Sequence, residues 1–171
     1  GVPEEIDVQR ANNNLDLILF QSRYYAAFRT APTHFASKKA HIYVMSSTDL
    51  QDWTYEYVIH VKSDLREPRF LELKGELFLY CFQGGTKMLS FEPQHLWVAK
   101  RSEEGAWEME MIEELDGFVP WRLRTRDGVA YLSAYYGVGL YQSDHVGDLR
   151  LFKSTNGYDW EPLSEEPQVS T

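Results

Sequence analysis

Three arginines, Arg29, Arg66 and Arg122, have the most specific chemistry on offer. Each guanidinium presents a planar fork of donors that matches a carboxylate, so three converging on one point would clamp an acidic ligand. Arg69 belongs to the same short segment as Arg66, Arg66-Glu67-Pro68-Arg69. Glu67 is the carboxylate set among these cations, with Asp64 and Asp144 behind it. Positioned carboxylates are common general acids and bases. His34 and His145 supply imidazoles that can move a proton or contact a polar ligand. Trp121, Tyr135, Tyr136 and Tyr141 have faces broad enough to stack on a ring. Each group also has a plain structural alternative. The arginines can pair with Glu67, Asp16 or Asp64 inside a wall, the aromatics can pack between sheets, and the histidines can be ordinary surface side chains. No His/Cys group has metal-ligand spacing, and neither a phosphate-cradling Gly-rich loop nor a Gly-x-Ser-x-Gly elbow is present. Neither a metal nor a cofactor is expected.

The elements that position these residues are legible as a repeat. Trp53, Trp107 and Trp160 each close a polar turn: Ser47-Thr48-Asp49-Leu50-Gln51-Asp52, Arg101-Ser102-Glu103-Glu104-Gly105-Ala106 and Ser154-Thr155-Asn156-Gly157-Tyr158-Asp159. The tryptophans stand 54 and 53 residues apart. Ile42, Leu96 and Leu149 each stand 11 residues before their tryptophan. A second register agrees: apolar runs following Ser22, Gly75 and Gly128 are spaced by 53 residues twice. The runs are short, aromatic and β-branched, with turn residues between them, so they read as strands. In the second unit the expected strands are 69–73, 76–82, 95–100 and 107–112, with Lys74-Gly75 as a tight hairpin turn.

Four antiparallel strands per repeat of this length predict β-propeller blades. The expected fold is all-β: one partial propeller over 1–171, with about three four-stranded blades near 12–60, 64–115 and 117–165. In such a fold the central mouth is lined by the starts of the inner strands, here Asn12-Asn13-Asn14, Arg66-Glu67-Pro68-Arg69 and Val119-Pro120-Trp121-Arg122. The loops 29–39, 83–94 and 135–148 surround it.

The Ser-x-Asp/Asn turns ending in tryptophan resemble Asp boxes, the hairpin turns of sialidase-type propellers. They also resemble the shorter Ser-x-Asp-Leu-x-x-Trp turns of five-bladed glycoside hydrolases of families 43 and 32; Ser47–Trp53 is close to that form. The copy at Arg101–Trp107 is degenerate, and a strict Asp box has one more residue. Arg66-Glu67-Pro68-Arg69-Phe70 resembles the Arg-Asp-Pro and Glu-Asp-Pro-Arg segments of propeller glycosidases and glycoside phosphorylases. Phe28-Arg29-Thr30-Ala31-Pro32 is similar to the Phe-Arg-Ile-Pro of sialidases, with one residue extra. Together the resemblance spans about 12–165. It implies a carbohydrate-active propeller that binds, and in an enzyme hydrolyses, a glycan at the mouth, an acidic one if the arginines converge.

Such hydrolysis uses two carboxylates, or a tyrosine nucleophile in the sialidase variant. The resemblance therefore makes Glu67 and Tyr136 the catalytic candidates. Arg29, His34, Arg66, Arg69, Trp121, Arg122, Tyr135 and His145 are the substrate-binding candidates. It also implies that Asp49, Asn156, Trp53, Trp107 and Trp160 are structural, on the face away from the site. Two alternatives stay open: a non-catalytic propeller used for binding or assembly, and a glycan phosphorylase or lyase.

Composition narrows the partners. The chain has 171 residues, 17 Lys plus Arg against 26 Asp plus Glu, and a net charge of −9. That balance argues against a nucleic-acid backbone or an anionic membrane as partner. Aromatics make up 15% of residues, which suits sheet faces packed on one another. Cys81, inside the apolar run 77–82, is expected to be a buried, inert thiol. Residues 1–10 do not read as a signal or transit peptide, and the compartment stays open. Three blades leave a sheet face unpaired. The expectation is therefore a longer polypeptide, or a homo-oligomer in which two chains complete a ring of about six blades.

Overall fold

The computed structural model describes residues 1–88, 90–138 and 147–169. These form three four-stranded antiparallel sheets, each a simple meander. The first holds β1 (Ala11–Phe20), β2 (Arg23–Ala31), β3 (His41–Ser47) and β4 (Thr54–Ile59). The second holds β5 (Asp64–Leu73), β6 (Glu76–Gly84), β7 (Pro93–Arg101) and β8 (Trp107–Ile112). The third holds β9 (Phe118–Arg126), β10 (Val129–Tyr136), β11 (Leu149–Ser154) and the two-residue β12 (Glu161–Pro162). A 3₁₀ turn, Glu113–Leu115, links the second sheet to the third.

The hairpins show why the sequence folds this way. The turns from β1 to β2, β5 to β6 and β9 to β10 are two-residue turns with positive φ at both positions. They are Gln21-Ser22 (47°, 62°), Lys74-Gly75 (53°, 81°) and Asp127-Gly128 (52°, 72°). Such turns match the twist of the strands they join. The turn from β3 to β4 is held by Ser47 and Asp49. Ser47 Oγ accepts from the amides of Asp49 and Leu50 at 3.2 and 2.9 Å, and Asp49 Oδ1 from those of Gln51 and Asp52 at 2.8 and 2.9 Å. Ser154 and Asn156 repeat the pattern in the third sheet, with Gly157, Tyr158 and Asp159 among the donors. The 101–107 turn is held differently: Ser102 Oγ accepts from the Ala106 amide at 3.1 Å.

Two apolar cores lie between the three sheets. The first joins Tyr25, Ala27, Ile42 and Val44 to Leu77, Leu79, Cys81 and Ala99. The second joins Phe78, Tyr80, Phe82 and Val98 to Leu123, Leu132, Ala134 and Phe152. β6 supplies alternate side chains to both, so it is buried almost without interruption. Fully burying each large side chain stabilises the fold by about 1.5–3 kcal/mol. The two later turn tryptophans lie over the sheet before their own. Trp107 stacks on Tyr57 with centroids 5.9 Å apart, and Trp160 meets Tyr80 edge-on at 5.8 Å. Cys81 is fully buried, and burial pushes its thiol up to about 12.

Three of the four expected strands of the second sheet run longer, and the inner one changes most. The inner strand of the second sheet begins at Asp64, not at Arg69. Glu67-Pro68, which looks like a break, is instead a bulge within the strand. Arg66 pairs with Phe82 and Arg69 with Tyr80, so two residues oppose one. Proline is tolerated there because a bulge releases it from the ladder.

Candidate functional site at the bulged ends of the inner strands

All three inner strands carry an irregularity near their N-terminal ends. In β1 the register skips Asn14, in β5 it breaks around Glu67-Pro68, and in β9 it skips Trp121. Asn14 and Glu67 have φ of 50° and 52°, a left-handed conformation uncommon for side-chain-bearing residues. A bulge of this kind re-aims a side chain out of the alternation of the sheet. Side chains of the first two bulges meet across the sheets, and Arg69 carries the contact to the main chain of the third. Asn14 Nδ2 donates to Glu67 Oε1, Arg69 Nη2 donates to Glu67 Oε2 at 2.5 Å, and Arg69 Nε donates to the Trp121 carbonyl at 2.9 Å. This belt ties β1, β5 and β9 together. Asn14 Oδ1 is buried within it without a partner among the described residues.

Beside the belt lies a cavity of about 380 Å³, lined by Leu15 and Asp16 of β1, Arg69 and Phe70 of β5, and 121–124 of β9. That volume falls in the range of small-ligand sites. Asp16 is already engaged, its Oδ2 accepting from the Phe70 amide at 2.7 Å. Trp121 is 58% exposed, its ring edge-on to Tyr135 at 5.9 Å. Arg122 and Arg124 are exposed, and among the described residues neither has a carboxylate partner. A somewhat larger cavity of about 450 Å³ lies at the opposite, tight-turn end, beside Gln21, Gly75 and Ser102. There Lys100 and Glu76 satisfy each other at 2.5 Å, so the cavity at the belt is the better candidate.

The remaining expected residues divide sharply. Arg29 is fully buried, not open to a ligand. It donates to the Leu65 carbonyl at 2.9 Å, the Phe35 carbonyl at 3.1 Å and Asp64 Oδ1 at 2.7 Å. Burial pushes its guanidinium down, and the Asp64 carboxylate opposes that. Arg66 is drawn to the same carboxylate, Nε to Asp64 Oδ2 at 2.5 Å, and its Nη2 donates to the His34 carbonyl at 2.8 Å. These two arginines fasten the 29–39 loop to β5, and neither lines the cavity that Arg122 lines. The His34 ring is exposed, its Nδ1 2.9 Å from Asn13 Nδ2. Tyr136 is half-buried and packs edge-on against Phe118 at 5.3 Å. His145, Tyr141 and Asp144 lie outside the described residues.

Sequence reasoning missed two participants. Asn14 carries no chemical signal by type, although it stands one repeat before Glu67. Arg124 was findable, because alternate residues of a strand share a face and it stands two after Arg122. Among the described residues, no cluster of His, Cys, Asp and Glu is arranged to hold a metal ion.

No family model and no curated protein matches the sequence. Solved structures do match the fold. A fructan 1-exohydrolase IIa from Cichorium intybus superposes with a TM-score of 0.66 at 14% identity, over 96% of this chain and 33% of its own. A family 117 glycoside hydrolase from Zobellia galactanivorans gives 0.63 at 16% identity, over 94% and 57%. A Bacillus subtilis arabinanase gives 0.57 at 13% identity, over 94% and 58%. The fold is therefore that of the glycoside hydrolase β-propellers, and the chain spans between a third and three-fifths of these neighbours. The sialidase side of the resemblance is not specifically supported, since these neighbours are fructan, arabinan and family 117 enzymes by name.

Proposed function

We propose that this chain supplies three blades of a carbohydrate-active propeller, and that a glycan binds in the cavity at the bulged ends of β1, β5 and β9. The observation that carries this reading is the exposed Trp121 ring beside a cavity walled by all three inner strands. Sugar rings offer flat C–H faces to an indole and hydroxyls to charged donors. The fold shared with fructan- and arabinan-named hydrolases supports the same substrate class. Tyr135 backs the Trp121 ring, and Arg69 sets the height of its backbone.

Binding is better supported than hydrolysis. Both Glu67 oxygens already accept from protein donors, Asn14 and Arg69. Outside the tyrosine variant, hydrolysis needs a pair of carboxylates flanking the bond, about 5–9.5 Å apart. In an enzyme, Glu67 would take one of these roles and the other would come from beyond the three described sheets.

A glycan array on the purified chain tests the proposal. Trp121→Ala should weaken any positive signal about tenfold or more, the loss expected for removing an aromatic ring from a ligand contact. Undiminished binding by that variant would place the glycan elsewhere. Turnover of an aryl glycoside that is abolished by Glu67→Gln would add catalysis to binding.

A further inference from the structure

We propose that the end face of the third sheet receives a fourth blade whose facing inner strand is acidic, and that a second copy of this chain does not fit there. The repeat shows what each position of that face meets. In the second sheet Leu71 and Leu73 turn towards the third and are 2% and 1% exposed. With Leu123 of β9 they belong to the second core. Arg124 and Arg126 stand 53 residues after those two leucines, so they hold the same positions on the third sheet. In the first sheet Ile18 and Phe20 hold them and pack into the first core. Both described joints therefore place apolar side chains where the end face carries guanidiniums. The cross-strand partners of Arg124 and Arg126 are Tyr131 and Val129, which bring no acid. Lys153, beside Tyr131, adds a cation 3.5 Å from Glu161. Asp127 lies 3.4 Å from Arg126, but in an exposed turn, where such a pair contributes little. Arg122 does not discriminate. It stands one repeat after Arg69, which reaches the main chain of the next sheet at Trp121.

A guanidinium covered by a sheet needs a carboxylate opposite it, because burying an unpaired charge is costly. The other end face of this chain offers none. Leu17 stands one repeat before Phe70 and two before Leu123, the residues that face the preceding sheet in the two joints. Leu15, Leu17 and Leu19 are exposed on that face, and their partners across the hairpin are Phe28, Ala26 and Tyr24. Glu5 and Asp7 of the N-terminal segment interact with Tyr55 of β4 and His41 of β3, away from β1. Closure by a second copy would therefore press Arg124 and Arg126 onto leucines. Acids opposite them would instead form charge-assisted hydrogen bonds. The repeat has room for one, since Glu72 stands one repeat after Leu19. The mismatch between the two end faces would then set the order of blades, by penalising the wrong neighbour.

Sedimentation of the full chain and of variants at the two end faces tests this as a charge-swap cycle. The unchanged chain, arginine against leucine, should stay monomeric. Arg124→Leu/Arg126→Leu makes both faces apolar and should self-associate at least about tenfold more tightly. Leu17→Glu/Leu19→Glu supplies the missing acids and should do the same, but only at low salt, because ion pairs are screened. Both pairs of substitutions together set leucine against glutamate and should restore the monomer. The altered side chains are exposed, so an unchanged urea midpoint is expected for each variant and checks that it is folded. Self-association of the unchanged chain overturns the inference, since a second copy would then fit. A monomeric Leu17→Glu/Leu19→Glu chain also overturns it, since the third face would not select acids. So does self-association of that variant that persists unchanged in high salt.

Discussion

Charge crosses the joint between the first and second sheets. Arg29 of β2 reaches Asp64 of β5 at 2.7 Å, Glu56 of β4 lies 3.6 Å from Arg101 of β7, and Asp16 of β1 accepts from the Phe70 amide. Between the second and third sheets the crossing bonds end on backbone carbonyls instead. Tyr80 donates to Gly157 at 2.7 Å, Lys74 to Thr155 at 2.6 Å and Arg69 to Trp121 at 2.9 Å. Aromatic rings fill the rest of that joint, with Phe78 against Tyr158 at 5.6 Å and Tyr80 against Trp160. Both joints draw their strength from apolar burial, but they fail differently. A buried ion pair is costly to break from one side, because the orphaned charge stays in the interior. Losing a bond to a carbonyl leaves only a neutral acceptor unpaired, which costs less than an orphaned charge.

The largest expected effect follows directly. Asp64→Ala leaves the fully buried Arg29 without its carboxylate and should cost about 3–5 kcal/mol, read as a lowered urea midpoint. A loss under about 1 kcal/mol would mean that the first joint is no more charge-dependent than the second. Tyr80→Phe removes the crossing bond at the second joint while keeping the ring, and about 1 kcal/mol should be lost. A larger cost there than for Asp64→Ala would reverse the contrast.

The smallest effect compares the two matched turns. In the first sheet the amides of Asp52 and Gln51, and then the Ser47 hydroxyl, hold the Asp49 carboxyl below its usual value. A lowered carboxyl contributes stability above the unfolded value, about 3.9, and loses it as pH falls through the folded one. Asn156, in the same place in the third sheet, does not titrate. Amide-exchange protection at Leu50, Gln51 and Asp52 should therefore drop in acid relative to Gly157, Tyr158 and Asp159. Parallel loss in both turns would assign the effect to global unfolding.

Most of the fold was readable because repetition advertises itself. Two independent registers shared one period, and Lys74-Gly75 marked its hairpin by residue type alone. The strand limits and the site were harder. Glu67-Pro68 looks like a strand break in one dimension, and only the partner strand shows that it is a bulge. Arg29 sits at the end of β2, where a mouth-facing cation was expected. Its partner Asp64, one of the three carboxylates weighed as structural partners of the arginines, lies 35 residues on, in the next sheet, and only the fold shows which of the three it takes. Trp121 and Arg122 were singled out because their segment begins an inner strand, whereas Arg124 needed the alternation to be carried one step further.

The tryptophan turns also give the stack a direction in time. Tyr57 belongs to the first sheet, but the ring that stacks on it, Trp107, is encoded one repeat later. Tyr80 waits in the same way for Trp160. At about 5–20 residues per second of synthesis, each sheet emerges several seconds before its own cover exists. A nascent chain therefore always carries one uncovered blade behind the ribosome, and a stall in the second or third repeat leaves the preceding sheet open to whatever else binds aromatic surface.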